Sequence, residues 1–141
     1  MKRFLAGLVL VACTACSGGS SSGSSTAPST PPLMPTSDVF TGTVPVGGSD
    51  AHNFVVNLSN GQVTADLTAA GPPTTIAMGL GIGTVSSGTC TLLPSGYTIT
   101  TPGPTAQLGG NNFTSGTYCI AVFDVGNQLV DVSYSVTVTH Y

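Results

Sequence analysis

Basic side chains are almost missing from this sequence: Lys2 and Arg3 are the only two, and both stand at its start. Beyond them the charge-bearing groups are five aspartates (Asp38, Asp50, Asp66, Asp124 and Asp131) and two histidines (His52 and His140), with no glutamate. Nucleic-acid binding draws its affinity from Lys and Arg neutralising phosphates, so no nucleic-acid partner is expected. Docking of the bulk of the chain on anionic lipid headgroups lacks its attraction for the same reason. A membrane-spanning run is missing too. The apolar stretch Phe4-Leu5-Ala6-Gly7-Leu8-Val9-Leu10-Val11-Ala12 is far shorter than the about 20 residues that crossing the hydrocarbon requires.

Two positive charges ahead of a short apolar run read as an export signal. The end of that run resembles the lipobox of bacterial lipoproteins, which are cut before a cysteine that then receives acyl chains. The segment Leu10-Val11-Ala12-Cys13-Thr14-Ala15-Cys16 offers two such sites. Cys13 has the better residue three places ahead of it but leaves a very short signal. Cys16 gives a normal signal length but puts Cys13 where Leu is usual. Cleavage before Cys16 discards Cys13, whereas cleavage before Cys13 strands Cys16 as a stray thiol. Cys16 is therefore the expected lipidation site, with Cys13 the alternative; an ordinary secretory signal is the plainer reading. The implied partner is a membrane, held through the N-terminal lipid anchor, and the implied location is the cell envelope. Neither Ser17 nor Thr14, whichever follows the lipidated cysteine, is an inner-membrane retention signal of the Asp type. By resemblance to known lipoproteins, this implies the outer membrane where the host has one.

Residues 1–16 thus read as signal and lipidation site, 17–37 as a linker and 38–141 as a folded domain. The linker is almost entirely Ser, Gly, Thr, Ala and Pro, which bury too little apolar surface to offset chain entropy. It is expected to be a disordered spacer with a reach of roughly 25 Å. Cys90 and Cys119 remain, in a compartment where disulfides persist. Bridging them closes a loop of about 30 residues, worth roughly 3–4 kcal/mol in the chain-entropy model. The alternative, zinc, lacks its paired C-x-x-C spacing.

Residues 38–141 have no sustained helical period. Short runs alternate with period two between Gly, Pro, Asn and Ser clusters, the pattern of an all-β sandwich. Phe54, Val56 and Leu58 share one face; Asn60-Gly61 predicts a hairpin turn; Val63, Ala65 and Leu67 line the expected return strand. Ile76, Met78, Leu80 and Ile82 form another apolar row, backed by Ala77, Gly79, Gly81 and Gly83. Repeated glycine in a strand implies close packing against the backbone, here by a neighbouring strand or aromatic in preference to a ligand. Tyr118–Phe123 is expected to be buried on both faces. Asp124-Val125-Gly126-Asn127 turns the chain, and Val132, Tyr134, Val136 and Val138 mark a last strand with one wet face.

The order of Phe40-Thr41-Gly42-Thr43-Val44, His52-Asn53-Phe54-Val55-Val56, Gly61–Leu67, Gly116–Asp124 and Ser133-Tyr134-Ser135-Val136-Thr137-Val138 resembles the bacterial pre-peptidase C-terminal domain. That resemblance covers nearly all of 38–141. It implies a jelly-roll-like antiparallel sandwich of about eight short strands and the absence of catalysis. Some relatives in that family bind calcium or extracellular polymers such as collagen. Here Leu80-Gly81-Ile82-Gly83-Thr84 carries no carboxylate where the family often has one, so neither ligand is carried over.

The expected function is a non-catalytic envelope lipoprotein displaying a β-sandwich for binding or adhesion, with no cofactor and an unidentified extracellular polymer or protein as ligand. A hydrolase near His52 is the alternative. It would need a nucleophile, a base and an orienting group in reach. Asp50-Ala51-His52 reads as a turn with a solvated imidazole, no G-x-S-x-G elbow occurs, and His140 stands at the end of the last strand. A third reading, a weakly calcium-stabilised accessory domain, rests on Asp124, Asn127 and Asp131, a loop short of charge for such a site.

Overall fold

The computed structural model describes residues 33–141. The signal, both candidate lipidation cysteines and residues 17–32 of the linker lie outside the described residues. Eight strands follow: β1 (Thr36–Val44), β2 (Ser49–Val56), β3 (Gly61–Gly71), β4 (Met78–Ser86), β5 (Thr89–Thr100), β6 (Leu108–Phe113), β7 (Gly116–Phe123) and β8 (Val132–His140). They form two four-stranded sheets in the orders β1-β8-β3-β6 and β2-β7-β4-β5. Every pairing is antiparallel. This is the jelly-roll order, in which the chain switches sheets at each connection except β4 to β5.

Period-two alternation places the core. In β8 the side chains of Val132, Tyr134, Val136 and Val138 are buried, while Ser133 faces solvent and Ser135, Thr137 and Thr139 are partly exposed. Facing them from the other sheet are Phe54 and Val56 of β2, Met78, Leu80 and Ile82 of β4, and Ile120 and Val122 of β7. Leu67, Met78, Leu80 and Ile120 are the bulkiest fully buried side chains, each contributing about 1.5–3 kcal/mol by leaving water.

Asn60-Gly61 does not make a hairpin. β2 and β3 belong to opposite sheets, so the residues between them arch over the core edge, with Asn60 in the left-handed region (φ 61°). The Tyr141 carbonyl oxygen holds this arch by accepting from the N–H groups of Asn57 (3.0 Å) and Leu58 (3.3 Å). The physical reason is burial on both sides of the turn. Phe54 and Val56 bury against the faces that Val63 and Leu67 present from the opposite layer, which a flat hairpin would not allow. Among the described residues, the one hairpin formed by consecutive strands is β4–β5, turning through Ser87 (φ 50°) and Gly88 (φ 78°).

β4 is buried at six consecutive positions from Met78 to Gly83, because its outer face is covered by the rest of the chain. The Phe123 ring occupies the space that a side chain at Gly79 would fill. Leu92 lies 2.7 Å from the place of a Gly81 Cβ, and the Thr91 carbonyl and Cys119 Sγ press on Gly83. The glycines therefore admit an aromatic and a neighbouring strand, as their spacing implied. Cys90 and Cys119 are joined, with Cα atoms 5.8 Å apart, which ties the β4–β5 hairpin to β7. β7 itself is covered on both faces from Tyr118 to Val122.

Candidate functional site

β1 and β2 are edge strands of opposite sheets and border one another. Asp50 and His52 lie within β2, not in a turn, and the imidazole is only partly exposed. Their direction follows from alternation: they are in phase with Phe54 and Val56 and so point into the seam. Tyr134, in phase with the apolar row of β8, reaches them from the other sheet. Its hydroxyl donates to Asp50 Oδ2 at 3.0 Å. Because a hydroxyl has one proton and a carboxylate only accepts, the Tyr134 oxygen then accepts from His52 Nε2–H at 3.0 Å. Phe40 of β1 stacks on the imidazole, with ring centroids 5.0 Å apart.

This cluster spans three strands and both sheets, with the Tyr134 hydroxyl bridging Asp50 Oδ2 and His52 Nε2. Gly42 of β1 closes over it: a Cβ there would strike Asp50 Oδ2 and lie 2.8 Å from the Tyr134 hydroxyl. Burial, then the Asp50 carboxylate, push the Tyr134 hydroxyl well above its ordinary value of 10.0. It is held as a neutral donor and is no readily ionised nucleophile. The arrangement does the work of a clamp.

His140 sits at the other end of the same seam. It is almost wholly buried, pairs through Nε2 with Asp38 Oδ2 at 3.0 Å and packs its ring 5.4 Å from Phe54. Its Nδ1 has no partner among the described residues. Asp66 of β3 accepts from Gln107 Nε2 at 2.9 Å, while Gln107 Oε1 accepts from the Leu67 N–H at 2.6 Å. Asp50 thus stands on a strand, where the sequence suggested a turn. The missed signal was phase: Asp50 and His52 continue the alternation of Phe54 and Val56.

Asp124, Asn127 and Asp131 each make hydrogen bonds to backbone groups. Asp124 Oδ2 accepts from the Gly47 N–H at 2.7 Å, and Oδ1 accepts from those of Gly126, Asn127 and Gln128. The Gly47 hydrogen bond above all holds its carboxyl below the usual range, against desolvation and with the help of the other three. Asp131 accepts from the Val46 N–H at 3.2 Å, and Asn127 Nδ2 donates to the Ala77 carbonyl at 3.0 Å. The loop latches the β7–β8 connection to the β1–β2 turn. No group of three or more His, Cys, Asp or Glu residues that could hold a metal occurs among the described residues.

A shallow concavity of about 650 Å³ opens on the outer face of the β2-β7-β4-β5 sheet. Leu92, Ala121 and Phe123 contribute its apolar lining, beside the disulfide at Cys90. Gly47–Ala51 border it at the start of β2, and Gly88–Thr89 at the hairpin tip. The two carboxylates at its border, Asp50 and Asp124, are those engaged by Tyr134 and by the backbone. A second groove of about 580 Å³ runs along Ala69–Thr74 and Ser133–Ser135. No protein-family model matches this chain, and no curated protein matches it at a significant level.

Proposed function

We propose that the protein is a non-catalytic cell-envelope lipoprotein whose jelly-roll domain serves as a binding module. The observation that carries this reading is the state of its acid–base groups. His52, Asp50 and Tyr134 are spent on one another beneath Gly42, and Asp124 is spent on four backbone N–H groups. A general base or nucleophile needs a free position within reach of substrate, and here the Gly42 backbone packs closely over Asp50 Oδ2 and the Tyr134 hydroxyl. The lipobox-like Leu10–Cys16 segment supports anchoring, and the strand order is compatible with the pre-peptidase C-terminal family. The disulfide suits an oxidising compartment.

One specific observation favours the second reading, a hydrolase: an aspartate, a histidine and a hydroxyl do stand within 3.0–3.7 Å of one another. A panel of peptidase, esterase and glycosidase substrates tests both. No turnover is expected from the full chain; turnover that disappears in His52→Ala would replace the binding module with an enzyme. For the anchor, mass spectrometry of the mature N-terminus is expected to find acylated Cys16. Acylated Cys13 would move the site, and an unmodified N-terminus beyond Ser17 would end the lipoprotein reading.

A further inference from the structure

The two outer faces of the sandwich differ in chemistry. On the β1-β8-β3-β6 sheet the outward positions are mostly hydroxyls, among them Ser37, Thr41, Thr43, Ser133, Thr137 and Thr139. Such a face is readily hydrated. The outward side of the β2-β7-β4-β5 sheet carries an apolar patch: exposed Tyr97 and Ile99 of β5 stand beside half-buried Leu92 and Phe123, which cover Gly81 and Gly79 of β4, with Ala51 of β2 at the border and polar Asn53 and Thr117 between it and Val55. Tyr97, Ile99 and Val55 are 55%, 60% and 49% exposed. An apolar patch left partly in water on one face, while the other is hydroxylated, marks an interaction surface.

We propose that this outer face binds an uncharged polysaccharide, with Tyr97 and Phe123 as the stacking platform and the Ser49 and Thr89 hydroxyls at the rim. The inference rests on the binding-module reading above. A pyranose ring presents C–H-rich faces and an edge of hydroxyls, so it needs an apolar platform bordered by neutral polar groups. The face offers that arrangement. The Tyr97 and Phe123 rings meet edge to face, 6.4 Å between centroids. Phe123 and Leu92 line the concavity, and exposed Ser49 and Thr89 border it.

Charge selects the class of polymer. Among the described residues there is no Lys or Arg to meet a carboxylate or sulfate. The two charged groups at the border of the concavity, Asp50 and Asp124, are both acidic. An acidic polysaccharide would meet repulsion with nothing to offset it, whereas a neutral one meets neither.

The test is affinity electrophoresis of the detergent-solubilised full chain in gels containing laminarin, dextran, galactomannan or alginate. At least one neutral polymer is expected to retard the protein, and alginate is not. Tyr97→Ala, which removes one exposed ring, should weaken retardation by roughly threefold to tenfold. Ala51→Gln, which obstructs the floor without touching the core, should weaken it as well. Thr41→Ala on the opposite face should leave it unchanged. Melting temperatures measured beforehand identify any variant that has lost its fold. Retardation that ignores both face variants, that is lost in Thr41→Ala, that needs alginate, or that is absent from all four gels overturns the inference and leaves the binding-module reading standing. Release of shorter oligosaccharides would instead bring down the non-catalytic reading itself.

Discussion

Tyr134→Phe deletes one oxygen and is the sharpest probe of the seam between β1, β2 and β8. The ring stays, so the change in packing volume is small, and Tyr134 is almost fully buried. Lost are the hydrogen bond donated to Asp50 and the one accepted from His52, both 3.0 Å. A hydrogen bond to a charged group is worth about 1.5–3 kcal/mol and one between neutral groups about 0.5–1.5 kcal/mol. Asp50 and His52 each keep 31% of their side-chain surface in water, so both are partly rehydrated when the hydroxyl is gone. The net loss is then about 1–2 kcal/mol, which in a domain of this size lowers Tm by roughly 4–15 °C. Urea unfolding should give a lower midpoint at an unchanged slope, because the surface exposed on unfolding is the same. Alkaline pH supplies an independent check. A group whose pKa is raised in the folded state contributes stability that is complete below its unfolded value, here 10.0, and is lost as pH climbs above it toward the folded value. Wild-type stability should therefore fall above about pH 10 more steeply than that of Tyr134→Phe. A variant as stable as wild type, with the same alkaline slope, would refute the clamp.

Thiol labelling of the denatured, unreduced domain should find neither Cys90 nor Cys119 reactive, and the Cys90→Ser/Cys119→Ser double variant should lose up to roughly 3–4 kcal/mol in urea. Two labelled thiols in freshly prepared protein would break that expectation. Gly79→Ala should push against the Phe123 ring and cost about 1–3 kcal/mol, whereas Gly88→Asn, at a left-handed turn position with open space around it, should be nearly neutral; equal losses would mean that the outer cover of β4 has been misjudged. Asp124 has a lowered carboxyl pKa, so its contribution is present above its unfolded value of 3.8 and fades as pH falls toward the folded value. Asp124→Ala should therefore unfold more readily at neutral pH, with the difference from wild type shrinking on acidification; a difference that grows toward low pH would contradict the latch.

The period-two rows of Phe54–Val56, Val63–Leu67, Met78–Ile82 and Val132–Val138 were enough to call for a two-layered β-fold, because alternation is a property of each strand alone. So was the placement of packed neighbours over Gly79–Gly83, since a strand without side chains must be covered by something. The pairing of Cys90 with Cys119 needed only their number and their surroundings. What sequence left undecided was which strand meets which. Asn60-Gly61 carries the same local chemistry in a hairpin as in an arch between sheets, and the choice is made by whether Phe54 and Val63 share a layer or face one another. The same holds for the seam. Asp50, His52, Tyr134 and Asp38, His140 lie 82 to 102 residues apart across their hydrogen bonds, and no local pattern encodes a contact of that range. The jelly-roll order sets β1, β2 and β8 together, and only that order turns a scattered set of aspartates into clamps.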